Sequence, residues 1–391
     1  MKLVVLLAGA AVALSACGSA EPSAQPGTGS LVVVSAPLST SPWIATSVQR
    51  GAQLAAKQLG DVRVQVRDNA GSPAQAAADA RAAVGAGAVA LITDGVGAVA
   101  VSEVTDPAAL PVFVVFEGGD SLVDVQERPT LFRLAPANKP MSRRLASYLS
   151  EKAERVALLG DDSSYGREGV EATAAELGRN DVQVSSSAVL PSGGRDVSAQ
   201  VLAARRGGAQ ALVVWAGAPE VAAVVAAARG AGWDVPVYSG PTAEDPLVRQ
   251  RLADHPEWVD GLTFVSFRIT SETGPEPFAA YRSAYEAEYG PERVGVGDLV
   301  QPPDWSTYSY DAVQLVRAAL SNSGGRSGQP LLDALETTVV TGANGDERGY
   351  GETDREGVSP DDMYFARFGV DLRFAPVRDD ILSTNLPSVT Q

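Results

Sequence analysis

Side chains that commonly carry catalysis are scarce in this chain. His255 is the only histidine and Cys17 the only cysteine among 391 residues. Zinc clusters, iron–sulfur sites and disulfide frameworks need several such ligands, so no metal and no cofactor is expected. No serine stands in a G-x-S-x-G elbow, and there is no Walker loop. Gly85-Ala86-Gly87-Ala88-Val89-Ala90 spells G-x-G-x-x-A, but it leaves a helical segment and enters a strand, the reverse of a dinucleotide site. Asp161-Asp162 and Asp361-Asp362 are of the right type for general acid–base work, yet adjacent acids ordinarily mark turns or caps. Trp215 closes an apolar run of the buried-strand type, where either a cleft wall or a core would use it. An aromatic side chain of this kind covers apolar surface, and Tyr and Trp keep one hydrogen-bonding handle. The chain is not expected to be an enzyme.

The 31 basic and 47 acidic residues leave a net charge of −16, a surface that phosphate backbones repel, so nucleic acid is not an expected partner. With 45% hydrophobic and 20% charged residues the chain can bury a substantial core. Residues 1–16 read as an export signal: Lys2, a short apolar run from Leu3 to Leu14, then Ser15-Ala16. The run is about a dozen residues, whereas a spanning helix needs roughly twenty. Leu14-Ser15-Ala16-Cys17 resembles the lipobox of bacterial lipoproteins, which implies cleavage before Cys17 and lipid attachment to it, anchoring the chain to the cell membrane. Residues 17–30, rich in Gly, Ser and Pro, read as a flexible tether.

From Leu31 onward, short β-rich runs alternate with Ala-rich helical segments. The strand candidates are Leu31–Val34, Val62–Arg67, Ala88–Thr93 and Pro111–Phe116, then Val156–Gly160, Val182–Val189, Ala211–Trp215 and Pro236–Ser239. Helix candidates between them are Trp43–Leu59, Pro73–Val84, Met141–Lys152, Arg167–Leu177, Val197–Arg206 and Glu220–Arg229. This alternation predicts parallel sheets with right-handed crossovers. Runs such as Val89-Ala90-Leu91-Ile92 are apolar throughout, as strands covered on both faces should be. The fold class is therefore α/β, in two doubly wound sets whose strand ends can enclose a cleft. The tail Tyr364–Arg373 alternates enough to add closing strands to the second set.

Several pieces, in order over about 330 residues, resemble the type I periplasmic binding proteins, and most of all the Leu/Ile/Val-binding branch that serves ABC importers. They are Ala36-Pro37-Leu38-Ser39, Arg50-Gly51-Ala52, Leu131-Phe132-Arg133-Leu134-Ala135-Pro136, Asp161-Asp162-Ser163-Ser164-Tyr165-Gly166 and Tyr308-Ser309-Tyr310-Asp311-Ala312. The resemblance implies two lobes, 31–137 with 266–345 and 138–265 with 346–391, joined by crossings near residues 137, 265 and 345. It implies a monomer that closes over a small molecule and is read by an ABC permease working with ATPase subunits. A lipid-anchored sensor of the same fold is the alternative, and a purely structural envelope lipoprotein a third reading.

By the same resemblance Tyr165 lies over the ligand from the second lobe, unless it merely packs its turn. Trp215 is either a cleft wall or a core tryptophan. Trp305 and Tyr308 reach the hinge side of the cleft, while Ser41 and Trp43 either cap the pocket or begin a helix. In amino-acid binders, hydroxyl residues after the third and fourth strands hold the ligand carboxylate. Here those positions fall on Val96 or Gly97 and on Gly118, with Asp94, Glu117 and Asp120 close by. The family's ammonium-holding glutamate falls on Thr242, with Glu244 two residues on. These departures imply a ligand other than a standard branched-chain amino acid: a neutral or cationic small molecule, or one gripped mostly by aromatics.

Overall fold

The computed structural model describes residues 29–267, 276–360 and 363–376. Cys17, the export signal, most of the tether and the Asp361-Asp362 pair lie outside the described residues. In the first lobe, β1 (Ser30–Ala36), β2 (Val62–Asp68), β3 (Ala90–Thr93), β4 (Val112–Val114) and β5 (Leu131–Arg133) form one sheet in the order β2-β1-β3-β4-β5. All its pairings are parallel. The crossovers are α1 (Pro42–Leu59), α2 (Pro73–Gly85) and α3 (Ala98–Thr105). Val32, Val34, Ala90 and Ile92 are fully buried, which explains why these strands lack alternation: helices cover both faces.

The second lobe begins with α4 (Asn138–Ser150), β6 (Arg155–Gly160), α5 (Ser164–Arg179), β7 (Gln183–Val189) and α6 (Ser198–Arg206). It continues through β8 (Ala211–Trp215), α7 (Ala218–Gly230), β9 (Val237–Ser239), α8 (Pro246–Arg251) and β10 (Leu262–Phe267). The chain then passes to α9 (Glu276–Tyr289), the short hairpin β11 (Glu292–Arg293) and β12 (Val300–Gln301), and α10 (Ser306–Asn322). After α11 (Gln329–Leu335) come the hairpin β13 (Val339–Thr341) and β14 (Glu347–Gly349), then β15 (Met363–Phe368) and β16 (Phe374–Pro376). The second sheet runs β16-β15-β10-β9-β8-β6-β7. Its β7 to β10 portion is parallel, and β15 and β16 add on antiparallel. These are the closing strands expected of the tail.

The architecture is two doubly wound α/β lobes. Tyr285, Trp305, Leu315 and Leu331, from the 276–335 segment, pack into the first lobe's core with Val32 and Phe113. The first-lobe packing extends past residue 345, where the third crossing was expected. Tyr350 and Val358 sit in that same core. Residues 355–357 lie along the free edge of β5: Arg133 N donates to the Arg355 carbonyl at 2.9 Å, and Gly357 N to the Arg133 carbonyl at 2.8 Å. Within the polar 341–360 stretch, residues 355–357 are thus held by sheet-edge hydrogen bonds that the composition does not announce. The hairpin β13–β14 is tied down by a buried pair, Arg348 Nε to Asp311 Oδ2 at 3.2 Å, which gives the aspartate of the Y-x-YDA helix start a structural role.

Candidate functional site

Both sheets reverse their winding near the middle, between β1 and β3 in one lobe and between β6 and β8 in the other. Loops leaving neighbouring strands at such a point part in opposite directions and open a crevice at the carboxyl ends. A cleft of about 190 Å³ lies there, open to solvent and lined from both lobes. Asp94 and Val96 follow β3, Phe116, Glu117 and Gly118 follow β4, and Asp161 and Ser163 follow β6. Gly217 follows β8 and Thr242 follows β9. Tyr165 lies in the first turn of α5, and Trp305 immediately precedes α10.

One wall is aromatic. Phe116 stacks on Trp305 with centroids 4.2 Å apart, and Trp43 meets both edge-on at 5.7 and 5.9 Å. Trp43 supports the wall without lining the cleft, where its neighbour Ile44 does. Ser41 and Gly97 are also absent from the lining; Gly97, at φ 67°, precedes α3 in a left-handed turn. Tyr308 is buried behind Trp305, its ring edge-on at 5.8 Å.

Opposite the wall, Tyr165 presents its hydroxyl 3.5 Å from Thr242 Oγ1, while Thr242 donates to the Ala216 carbonyl at 2.7 Å. Burial pushes the Tyr165 phenol above its usual range, so it stays protonated. Its ring stands edge-on to Trp215 at 5.3 Å. Trp215 itself is a fully buried core residue that does not reach the lining, with Nε1 donating to Thr173 Oγ1 at 2.8 Å. Glu244 lies behind the cleft and is fully buried. Its carboxylate accepts from Ser266 Oγ at 3.0 Å, Gln301 Nε2 at 2.8 Å and Trp305 Nε1 at 3.3 Å. It faces protein on all these sides rather than solvent. Gly118 lines the cleft where no side chain fits: a Cβ would stand 2.6 Å from Asn138 Oδ1 and 2.8 Å from the Pro136 carbonyl.

The lining holds three carboxylates and no lysine, arginine or histidine. Burial raises Asp94 to about 6, although Asn69 and Thr93 hydrogen-bond to it. Burial also raises Glu117, and the charges of Glu168 and Asp94 add to the effect. Asp161 serves the loops instead: Oδ1 accepts from Ser163 N at 3.1 Å and Oδ2 from Gly217 N at 3.0 Å. Phe116, Ile44, Met141 and Pro136 are lining residues that sequence reasoning did not single out. The Phe116-Glu117 loop position was legible, but the inward turn of the ring depends on Trp305, far away in the chain.

Residues 29–371 match the periplasmic binding protein family. No curated protein matches the chain. Among solved structures, a type 1 periplasmic binding protein from Bordetella pertussis Tohama I superposes with a TM-score of 0.80 at 18% identity, over 89% of this chain and 100% of that one. The leucine binding protein LivK of Thermotoga maritima MSB8 gives 0.75 at 18% identity, over 88% and 97%. LivJ of Streptococcus pneumoniae, in complex with isoleucine, gives 0.73 at 20% identity, over 87% and 96%. With its two lobes, its cleft at the strand ends and a family match covering most of its length, the chain belongs to the periplasmic binding protein family.

Proposed function

We propose that this protein is the extracytoplasmic substrate-binding component of an ABC importer, a non-catalytic lipoprotein anchored through Cys17, that captures a small molecule by closing its lobes. The observation that carries this reading is the cleft itself, whose lining comes from strand ends of both lobes, so a guest placed there touches both. Ligand docks on the aromatic wall of the first lobe, and Tyr165 and Thr242 complete the enclosure from the second. A ligand favours closure only to the extent that it binds the closed form better than the open one. The closed shape is then what a permease recognises, and ATP is hydrolysed by partner subunits. LivK and LivJ, named for leucine binding and seen with isoleucine respectively, support a small-molecule ligand here.

The test is a thermal-shift screen of amino acids, amides, amines and small organic acids on full-length protein refolded free of ligand, followed by solution scattering. A hit that raises Tm and contracts the molecule is the expected result. A protein that shows neither with any class of compound is not a binding component. Replacing Cys17 with Ala is expected to release the protein from the membrane fraction.

A further inference from the structure

Two features of the cleft point the same way, and both concern charge. The first is that several of the places where an anion could sit are already filled. Loop N–H groups after parallel strands, at helix starts, ordinarily attract a ligand carboxylate. Here the protein's own side chains occupy several of them in and around the cleft. Ser163 N and Gly217 N are taken by Asp161, Gly119 N by Glu117 Oε1 at 3.0 Å, Gly95 N by Thr93 Oγ1 at 3.3 Å and Ser121 N by Glu168 at 2.9 Å.

The second feature is that the charge left over is negative and without a directly paired cation. Asp94, 6% exposed, and Glu117 both line the cleft, and neither forms an ion pair among the described residues. Arg133 is the cation whose charge reaches Glu117, but its guanidinium is held by both carboxylate oxygens of Glu356 and by the Gly119 carbonyl at 2.6 Å. Glu117 Oε2 accepts no hydrogen bond among the described residues, whereas Oε1 takes Gly119 N. A charged group removed from water needs a partner of opposite sign, and the same cleft is lined by the aromatic rings of Phe116, next in sequence to Glu117, and Trp305, the kind of lining against which organic cations are received.

Resting on the reading of the cleft as a ligand site, we propose that the ligand is a small organic ammonium ion without a carboxylate, its charged head against Glu117 and Asp94 and its apolar body along the Phe116–Trp305 wall. A free amino acid is disfavoured because its carboxylate would meet Glu117, Asp94 and Asp161.

The test uses full-length, ligand-free protein and compounds that share a carbon skeleton but differ in charge. One set is 3-methylbutylamine, leucine and 4-methylpentanoate; the other is 2-phenylethylamine, phenylalanine and 3-phenylpropanoate. Calorimetry is expected to find at least one amine bound tenfold or more tighter than its matched amino acid, with no heat from the acids. Glu117→Gln is expected to weaken that amine tenfold or more, and Asp94→Asn to weaken it as well, while both variants still unfold in one cooperative transition at a Tm no lower than the wild type. Binding of leucine, phenylalanine or either acid as tightly as the matched amine overturns the cation assignment and leaves the binding-protein reading standing. Amine affinity unchanged in both variants, or no binding by either amine, also overturns it. Failure of the binding-protein reading itself shows differently, as the absence of any Tm shift across the whole compound screen.

Discussion

The indole Nε1 of Trp305 donates to Glu244 Oε2 at 3.3 Å, tying the aromatic wall of the first lobe to a buried carboxylate of the second. Gln301 and Ser266 donate to the same carboxylate, and Asp304 lies beside it. Burial raises both acids, and the closeness of Glu244 raises Asp304 further. Glu244→Ala would leave the Gln301, Ser266 and Trp305 donors buried and unpaired. The expected cost is about 2–4 kcal/mol, read by urea unfolding; a cost below about 0.5 kcal/mol would show that the network does not hold the lobes.

Tyr165→Ala should weaken ligand binding about tenfold, or about 1.4 kcal/mol, with little change in Tm. Tyr165→Phe should retain most of the affinity, because the ring covers the guest while the hydroxyl already neighbours Thr242. Calorimetry with the hit from the screen decides; equal affinity in all three proteins would take Tyr165 out of the site.

Gly118→Ala is expected to lower stability by about 1–3 kcal/mol, since its Cβ would press on the Pro136 carbonyl, at 2.8 Å, at the first crossing between lobes. Thermal unfolding measures this, and a wild-type Tm would mean that the crossing yields easily.

Asp94 gives a pH signature. Its folded value of about 6 lies above the ordinary 3.8, so the folded protein binds this proton more tightly than the unfolded chain does. Its contribution to stability is fully present below about pH 4 and is lost as pH rises towards and past 6. The groups around it are Asn69, Thr93 and the like-charged Glu117. Asp94→Asn should therefore raise the Tm of ligand-free protein more at pH 7 than at pH 4.5. A gain equal at both values would show that the carboxyl is not strained by its surroundings. A bound cation should show the complementary behaviour, its affinity falling as pH drops through about 6.

Between the two lobes, Glu168 on α5 accepts from Ser121 N at 2.9 Å and from Ser121 Oγ at 2.5 Å. The contact is exposed and worth about 1 kcal/mol or less. Glu168→Ala should weaken ligand binding a few-fold and expand the ligand-free molecule in solution scattering. Unchanged dimensions and affinity would make this pair incidental to closure.

Much of the fold was legible because it depends on local pattern. Fully apolar runs such as Val89-Ala90-Leu91-Ile92 can only be strands covered on both sides, and the helices between them force parallel sheets with strand ends meeting at a cleft. Those facts follow from the order of residues along the chain. Which side chains face the cleft did not, because it turns on contacts between distant segments. Trp215 ends a strand as a cleft residue would, yet Thr173 and the close approach of Gly169 hold its indole in the core. Glu244 sits two residues from a family position but is turned away by Ser266, Gln301 and Trp305. The polar 355–357 stretch becomes ordered only because β5 offers it an unpaired edge. A sequence determines which segments are strands and helices through periodicity and propensity, whereas tertiary packing decides the direction of each loop side chain, since that direction is set by whichever remote partner occupies the space beside it.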